Sequence, residues 1–230
     1  MPKNFRIKVC AIGAPGFCVT KEIIDKRLLS EIERISVFTE RRINSEVPDG
    51  LAIHQLGSGI PAFLGQTSVE CRIKNYTEDK ELIASEIINN DLLLIFGFCG
   101  GSSSAAICAT IAQMANEMKI AAACLVIQPF KFEGLRRQKN FAESLELVKE
   151  LSDLTLVCSL EKIVADKLGK LVLLEAFAYA DQRIAHCVTT LYKALSQSQN
   201  LLNDHEKLAK ICQNAISENP IARAVAMEIV

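Results

Sequence analysis

The sequence lacks an excess of charge of either sign. Its 230 residues carry 26 Lys and Arg against 27 Asp and Glu, a formal net charge of −1, whereas a dedicated nucleic-acid binder shows a clear basic surplus. Histidine is scarce: His54, His186 and His205 are scattered along the chain, so no metal site is expected. The nine cysteines include no C-x-x-C pair and no close histidine at ligand spacing. Most lie in apolar runs such as Ala121-Ala122-Ala123-Cys124-Leu125-Val126, where a thiol acts as a small core hydrophobe. Free buried thiols in a reducing compartment are the expectation. The opening Met-Pro-Lys-Asn-Phe-Arg carries no apolar signal core. Residues 92–116 hold no charge, but Gly100-Gly101-Ser102-Ser103-Ser104 interrupts them after about seven apolar residues. That is far short of the ~20 that a membrane-spanning helix needs. These absences describe a soluble, cytoplasmic protein with neither a nucleic acid nor a membrane as partner.

What is present is apolar bulk. Hydrophobic residues make up 50% of the chain, which excludes a largely disordered protein. A chain of this length buries ~70% of the surface its unfolded form exposes, so it needs no disulfide staple or structural metal. One domain, or one with an appendage, is the expected count.

The hydrophobic period alternates along the chain. Residues 6–12, 35–39, 92–96, 121–127 and 154–158 read as strands, with 51–55 as a further short one. Between them, 19–29, 77–88 (with Thr77 as N-cap), the stretch from the serines to Glu117, and the segment holding Phe141, Leu145, Val148 and Leu151 read as helices. Residues 57–68, rich in Gly and Pro, read as a loop. The segment from 171 to 196 has no Gly or Pro and predicts one long helix. Strands alternating with helices imply an α/β fold: a doubly wound, mostly parallel, Rossmann-like sheet with helices on both faces and the long helix on the C-terminal side. Ligands of such sheets bind beyond the carboxyl ends of the strands. Two turns there open helices, Gly13-Ala14-Pro15-Gly16 and Gly100-Gly101-Ser102-Ser103-Ser104, and each offers backbone N–H groups to an anion.

Gln128-Pro129-Phe130-Lys131-Phe132-Glu133-Gly134-Leu135-Arg136-Arg137 resembles the P-F-x-F-E-G-x-x-R segment of the FtsZ/tubulin family of bacterial cell-division GTPases. The neighbours agree in order. The first strand, loop and helix align through Ile24, Gly100 to Ala106 falls on the family's G-G-G-T-G-T-G loop, and Leu174-Glu175-Ala176-Phe177-Ala178-Tyr179-Ala180-Asp181 is similar to its central helix. Asn200-Leu201-Leu202-Asn203 matches the start of the following loop. The resemblance covers roughly residues 7 to 210. It implies a nucleotide-binding domain over 1–196, a helical tail over 197–230, and no room for the family's second domain.

The resemblance also assigns roles. It places Gly13 and Gly16 in the first nucleotide loop, Gly100, Gly101, Ser102, Ser103 and Ser104 at the phosphates, Glu133 at the ribose and Arg137 at sugar or phosphate. Phe177 falls where the family stacks on guanine, and Asp181 where a carboxylate accepts from the base's N1 and N2. By residue chemistry alone, Glu133 and Arg137 are also an i,i+4 ion pair, Phe177 a core residue, Asp181 a surface carboxylate, and the serines a helix cap. The family's two base-side asparagines are Cys18 and Leu160 here. Serines and alanines replace the phosphate loop's other glycines and its threonines, where a Cβ opposes close backbone approach. The catalytic loop N-x-D-x-A-D reads Asn203-Asp204-His205-Glu206-Lys207-Leu208, so both aspartates are gone, to His205 and Leu208. Each unmade hydrogen bond costs roughly 1–3 kcal/mol, so GTP or GDP binding is expected to be weak or absent and no catalytic residue is assigned. The implied function is a non-hydrolysing relative that acts on a protein partner, on itself or on an FtsZ filament. The alternative is a working GTPase whose serines hold phosphate while His205 or Glu206 handles water.

Overall fold

The computed structural model describes residues 5–57, 69, 73, 76–167, 170–197, 205–224 and 227–230. The loop expected over 57–68 lies outside them except for Gly57, as do Asn200 to Asp204 and the side chain of Thr77.

Seven strands form one sheet in the order β3-β2-β1-β4-β5-β6-β7. They are β1 (Ile7–Ile12), β2 (Ile35–Thr39), β3 (Ala52–Gln55), β4 (Leu92–Phe98), β5 (Ala121–Gln128), β6 (Leu154–Ser159) and β7 (Glu228–Ile229). All neighbours are parallel except β6 and β7. The described helices are α1 (Gly13–Asp25), α2 (Lys80–Ile87), α3 (Ser102–Glu117), α4 (Leu135–Leu151), α5 (Leu160–Val164), α6 (Leu173–Ser196), α7 (His205–Glu218) and α8 (Pro220–Ala224).

The alternation of side chains across each strand divides the core in two. Val9, Ala11, Leu92, Leu94 and Phe96 pack with Phe17 of α1, Ile184 and Val188 of α6 and Leu208 of α7. Cys10, Ile12, Leu93 and Ile95 pack on the other face with Ile83 of α2, Cys108 and Ile111 of α3 and Phe141 of α4. Because both faces are covered, β1, β4 and β5 read as continuous apolar runs rather than alternating ones. Lys8 is the exception on β1. Its ammonium meets Glu86 of α2 at 3.1 Å, and the same carboxylate accepts from the Ser36 hydroxyl at 2.8 Å. Seven thiols, at Cys10, Cys99, Cys108, Cys124, Cys158, Cys187 and Cys212, are buried, while Cys18 is exposed.

Three elements differ from the sequence expectation. The helix expected from a Thr77 N-cap begins at Lys80 with Asp79 as its N-cap, because residues 76–79 form a 3-10 turn. The first helix begins at Gly13 rather than at residue 19, because a proline in the first turn lacks only an N–H that would have no intrahelical partner. The tail contributes more than helices. Asn219 accepts from the Ile221 and Ala222 N–H groups and donates to Thr190 of α6 at 2.8 Å. The chain then adds β7 along β6, with Leu156 opposite Ile229.

Candidate functional site

The strand order reverses direction between β1 and β4, and ligands of open α/β sheets sit in the crevice at such a switch point. Both glycine-containing turns converge there. Gly13, directly after β1, holds φ at +75°, and a Cβ on it would lie 2.8 Å from the Ser104 Oγ. A side chain is therefore excluded by both torsion and space, and the first turn rests against the second. Gly100 is pressed on Pro129, whose ring would stand 3.0 Å from an added Cβ. Gly16 brings α1 close to the backbone of Ala11, while Gly101 faces open space.

The second turn is fastened from α4. Asn140 donates to the Gly100 carbonyl at 3.2 Å and Ser144 to that of Cys99 at 3.4 Å. Gly101 is the N-cap of α3, and no side chain caps that helix. The serines therefore do not cap it. Ser102 is buried, Ser104 leans on Gly13, and Ser103 donates from its hydroxyl to the Glu40 carboxylate, just beyond β2. The helix start thus leaves N–H groups without intrahelical partners at the crevice, the usual setting for an anion.

The β5 turn supplies the next wall. Glu133 accepts from the Phe130 N–H at 2.8 Å through one oxygen. Its other oxygen meets Arg137 at 2.9 Å, so the ion pair is formed within the chain. Phe130 packs edge-on against Phe177 of α6, with ring centres 5.4 Å apart, and stacks on Phe132. Phe177 is half-buried at the crevice margin. Phe132, Leu135, Val172, Leu173 and Leu174, at the starts of α4 and α6 and in the turn after β5, are all exposed, Leu135 to 89%.

Asp181, one turn beyond Phe177, stands against α1. Burial, and then the negative charge of Glu22, raise its carboxyl from 3.8 to about 7. Burial and the charge of Asp181 likewise raise the Cys18 thiol. Cys18 and Glu22 of α1 thus both lie near Asp181 of α6. Glu22 escaped the sequence reading although it lies one helical turn after Cys18, on the same face of α1. Glu40 escaped as well, because its place beside Ser103 follows from strand order and from no local motif. Leu160, where the resemblance expects a base-side amide, is 1% exposed and belongs to the core.

The positions that the resemblance assigns to a catalytic loop lie elsewhere. His205 opens α7, and its Nδ1 lies 3.0 Å from the Asp153 carbonyl and 3.6 Å from the Asp153 carboxylate, at the amino end of β6. That is the edge of the sheet opposite the crevice. Leu208 is 1% exposed and packs in the core.

Among the described residues, no helix is long and apolar enough to cross a membrane, and no group of three or more His, Cys, Asp or Glu could hold a metal ion.

Comparison with known proteins agrees with this fold. A family model described as Tubulin/FtsZ family, GTPase domain, matches residues 6–166. The cell division protein FtsZ of Pseudomonas putida is 30% identical over 190 residues, covering 82% of this chain and 47% of its own length. That of Azotobacter vinelandii is also 30% identical, over 82% of this chain and 48% of its own. The chain therefore spans about half the length of the curated relatives it matches. Among solved structures, an empty FtsZ dimer from M. jannaschii superposes with a TM-score of 0.74 at 21% identity, covering 92% of this chain and 61% of that one. CetZ2 from Haloferax volcanii, a protofilament bound to GTPγS, gives 0.69 at 14% identity, over 89% and 62%. These two likenesses concern the fold.

Proposed function

The chain belongs to the Tubulin/FtsZ family, matching its GTPase domain and the cell-division proteins that carry it, and on that premise we propose that it binds guanine nucleotides weakly and hydrolyses them slowly or not at all. It acts instead as a binding or regulatory partner, docking on a second copy or on a filament of its full-length relatives. The two turns around Gly13 and Gly100 would take the phosphates, with Ser102, Ser103 and Ser104 nearest, Glu133 and Arg137 beside the sugar, and Phe177 and Asp181 at the base. No step of hydrolysis is assigned to a residue of this chain.

One observation carries the loss of hydrolysis. The catalytic loop of the resembling family supplies aspartates at the positions of His205 and Leu208. Here Leu208 is sunk in the core and His205 is turned onto its own chain's Asp153. Neither can present a carboxylate to a neighbour's nucleotide. A shifted Glu206 is a poor substitute, since a misplacement of ~1 Å costs on the order of 100-fold in rate. The exposed apolar side chains of Phe132, Leu135, Leu173 and Leu174 support a docking role.

Titration of labelled GTP and GDP onto the purified protein tests the binding reading. The expected dissociation constants lie above the micromolar range, and tighter binding overturns the weakening inferred from Cys18 and Leu160. Phosphate release tests the rest: family-like turnover that His205→Ala or Glu206→Ala abolishes would establish the hydrolysing alternative.

A further inference from the structure

Glu40 is the first residue beyond β2, and Ser103 is the second residue of α3, which follows β4. In the order β2-β1-β4 they stand on either side of the carboxyl end of β1. The hydrogen bond from the Ser103 hydroxyl to Glu40 Oε2 joins residues 63 positions apart and bridges the mouth of the crevice.

Both ends of the bridge are built. Thr39 fastens the turn that carries Glu40: its hydroxyl donates to the Arg41 carbonyl at 3.0 Å and accepts from the Arg41 N–H at 3.2 Å. Its carbonyl accepts from the Leu56 N–H at 2.8 Å. The other carboxylate oxygen of Glu40 accepts from the hydroxyl of Tyr76 at 3.3 Å, and Tyr76 is fully buried. On the far side, α3 has no side-chain cap. Its positive end attracts a carboxylate for the same reason it would attract a phosphate. The serine that the phosphates would need is thus engaged by a negatively charged group of the chain itself.

We propose that Glu40 is a built-in competitor for the phosphate turn: it holds the Ser103 hydroxyl, and an entering polyphosphate must displace it. This rests on the reading that the crevice takes nucleotides, and it names the residue that sets how readily it does so. The weak binding then has two separable sources, lost contacts at the base and a resident anion at the phosphates. Only the second is reversed by a change at one position.

The test is calorimetric titration of inorganic tripolyphosphate and of GTP onto the whole chain, as wild type, Glu40→Gln, Glu40→Ala and Ser103→Ala, each checked for folding by its thermal melt. Glu40→Gln keeps the length of the side chain and an acceptor for Ser103, so it isolates charge and guards against a folding defect in Glu40→Ala. Both Glu40 variants should bind tripolyphosphate at least about tenfold more tightly than wild type, given the repulsion of like charges a few ångströms apart. Ser103→Ala, which keeps the charge, should gain much less. Equal or weaker binding by folded Glu40→Gln overturns the proposal, as does failure of every variant to bind tripolyphosphate. A gain for tripolyphosphate with no added affinity for GTP leaves Glu40 a competitor and removes the guanine reading. Guanine-dependent GTP binding that is unchanged in both Glu40 variants does the reverse.

Discussion

Asp181→Asn isolates one charge whose ionisation the fold opposes. The Asp181 carboxyl sits at about 7 in the folded chain against 3.8 ordinarily, first because it is buried and second because Glu22 faces it. As pH rises from about 4 to about 7, the unfolded chain releases this proton while the folded chain retains it, so folding becomes steadily less favourable across that window. The stability contribution is complete below about pH 4 and gone above about pH 7. At ~1.4 kcal/mol per pKa unit the unscreened loss is about 4 kcal/mol. Partial exposure of Asp181, and the Lys26 ammonium 3.0 Å from Glu22, reduce it to on the order of 2 kcal/mol. Asparagine has nothing to ionise. The variant should therefore melt close to wild type near about pH 4.5 and about 4–8 °C above it near about pH 8. Circular-dichroism melts of both proteins at these two values and at about pH 6 read the effect. A gap that is the same at every pH, or a variant less stable than wild type at the alkaline end, refutes the reasoning.

The same group predicts a binding profile. Only the ionised carboxylate accepts from both N1 and N2 of guanine, so GDP affinity should fall below about pH 7, approaching tenfold per unit; a flat titration between about pH 6 and about pH 8 would exclude the assigned role. Restoring an aspartate with Leu208→Asp places a charge in the core and should cost roughly 4 kcal/mol or more in urea unfolding without raising phosphate release. A well-folded variant would mean that α7 is not packed as described. Gly13→Ala should destabilise by about 1–2 kcal/mol through its positive φ and the Ser104 hydroxyl. The steric part should shrink in a Ser104→Ala background, so strictly additive melts in the double mutant would argue against that contact.

Much of the fold was legible because burial on both faces writes itself as uninterrupted apolar runs: β2 is found where residues 35–39 place it, and β4 and β5 begin at the expected Leu92 and Ala121. The start of α1 was missed because Gly13, Pro15 and Gly16 carry turn chemistry, although all three are admissible in a first helical turn. The strand at Glu228–Ile229 has no period to detect, since its conformation comes from pairing with β6. At the crevice, the positions of the two glycine-containing turns, directly after β1 and β4, were readable. The partners of Ser103 and Asp181 were not, because Glu40 and Glu22 are brought to them by strand order and by the packing of α1 on α6.

The distribution of thiols gives the protein two reporters. Cys18 is the exposed thiol among the described residues and lies close enough to Asp181 to feel its charge, whereas the other seven described are buried. With Cys71 replaced by serine, a maleimide dye at mildly alkaline pH would mark Cys18 and register whatever enters beside it. The slow appearance of further labelled sites would clock the opening of the core, so occupancy and unfolding can be followed in one reaction.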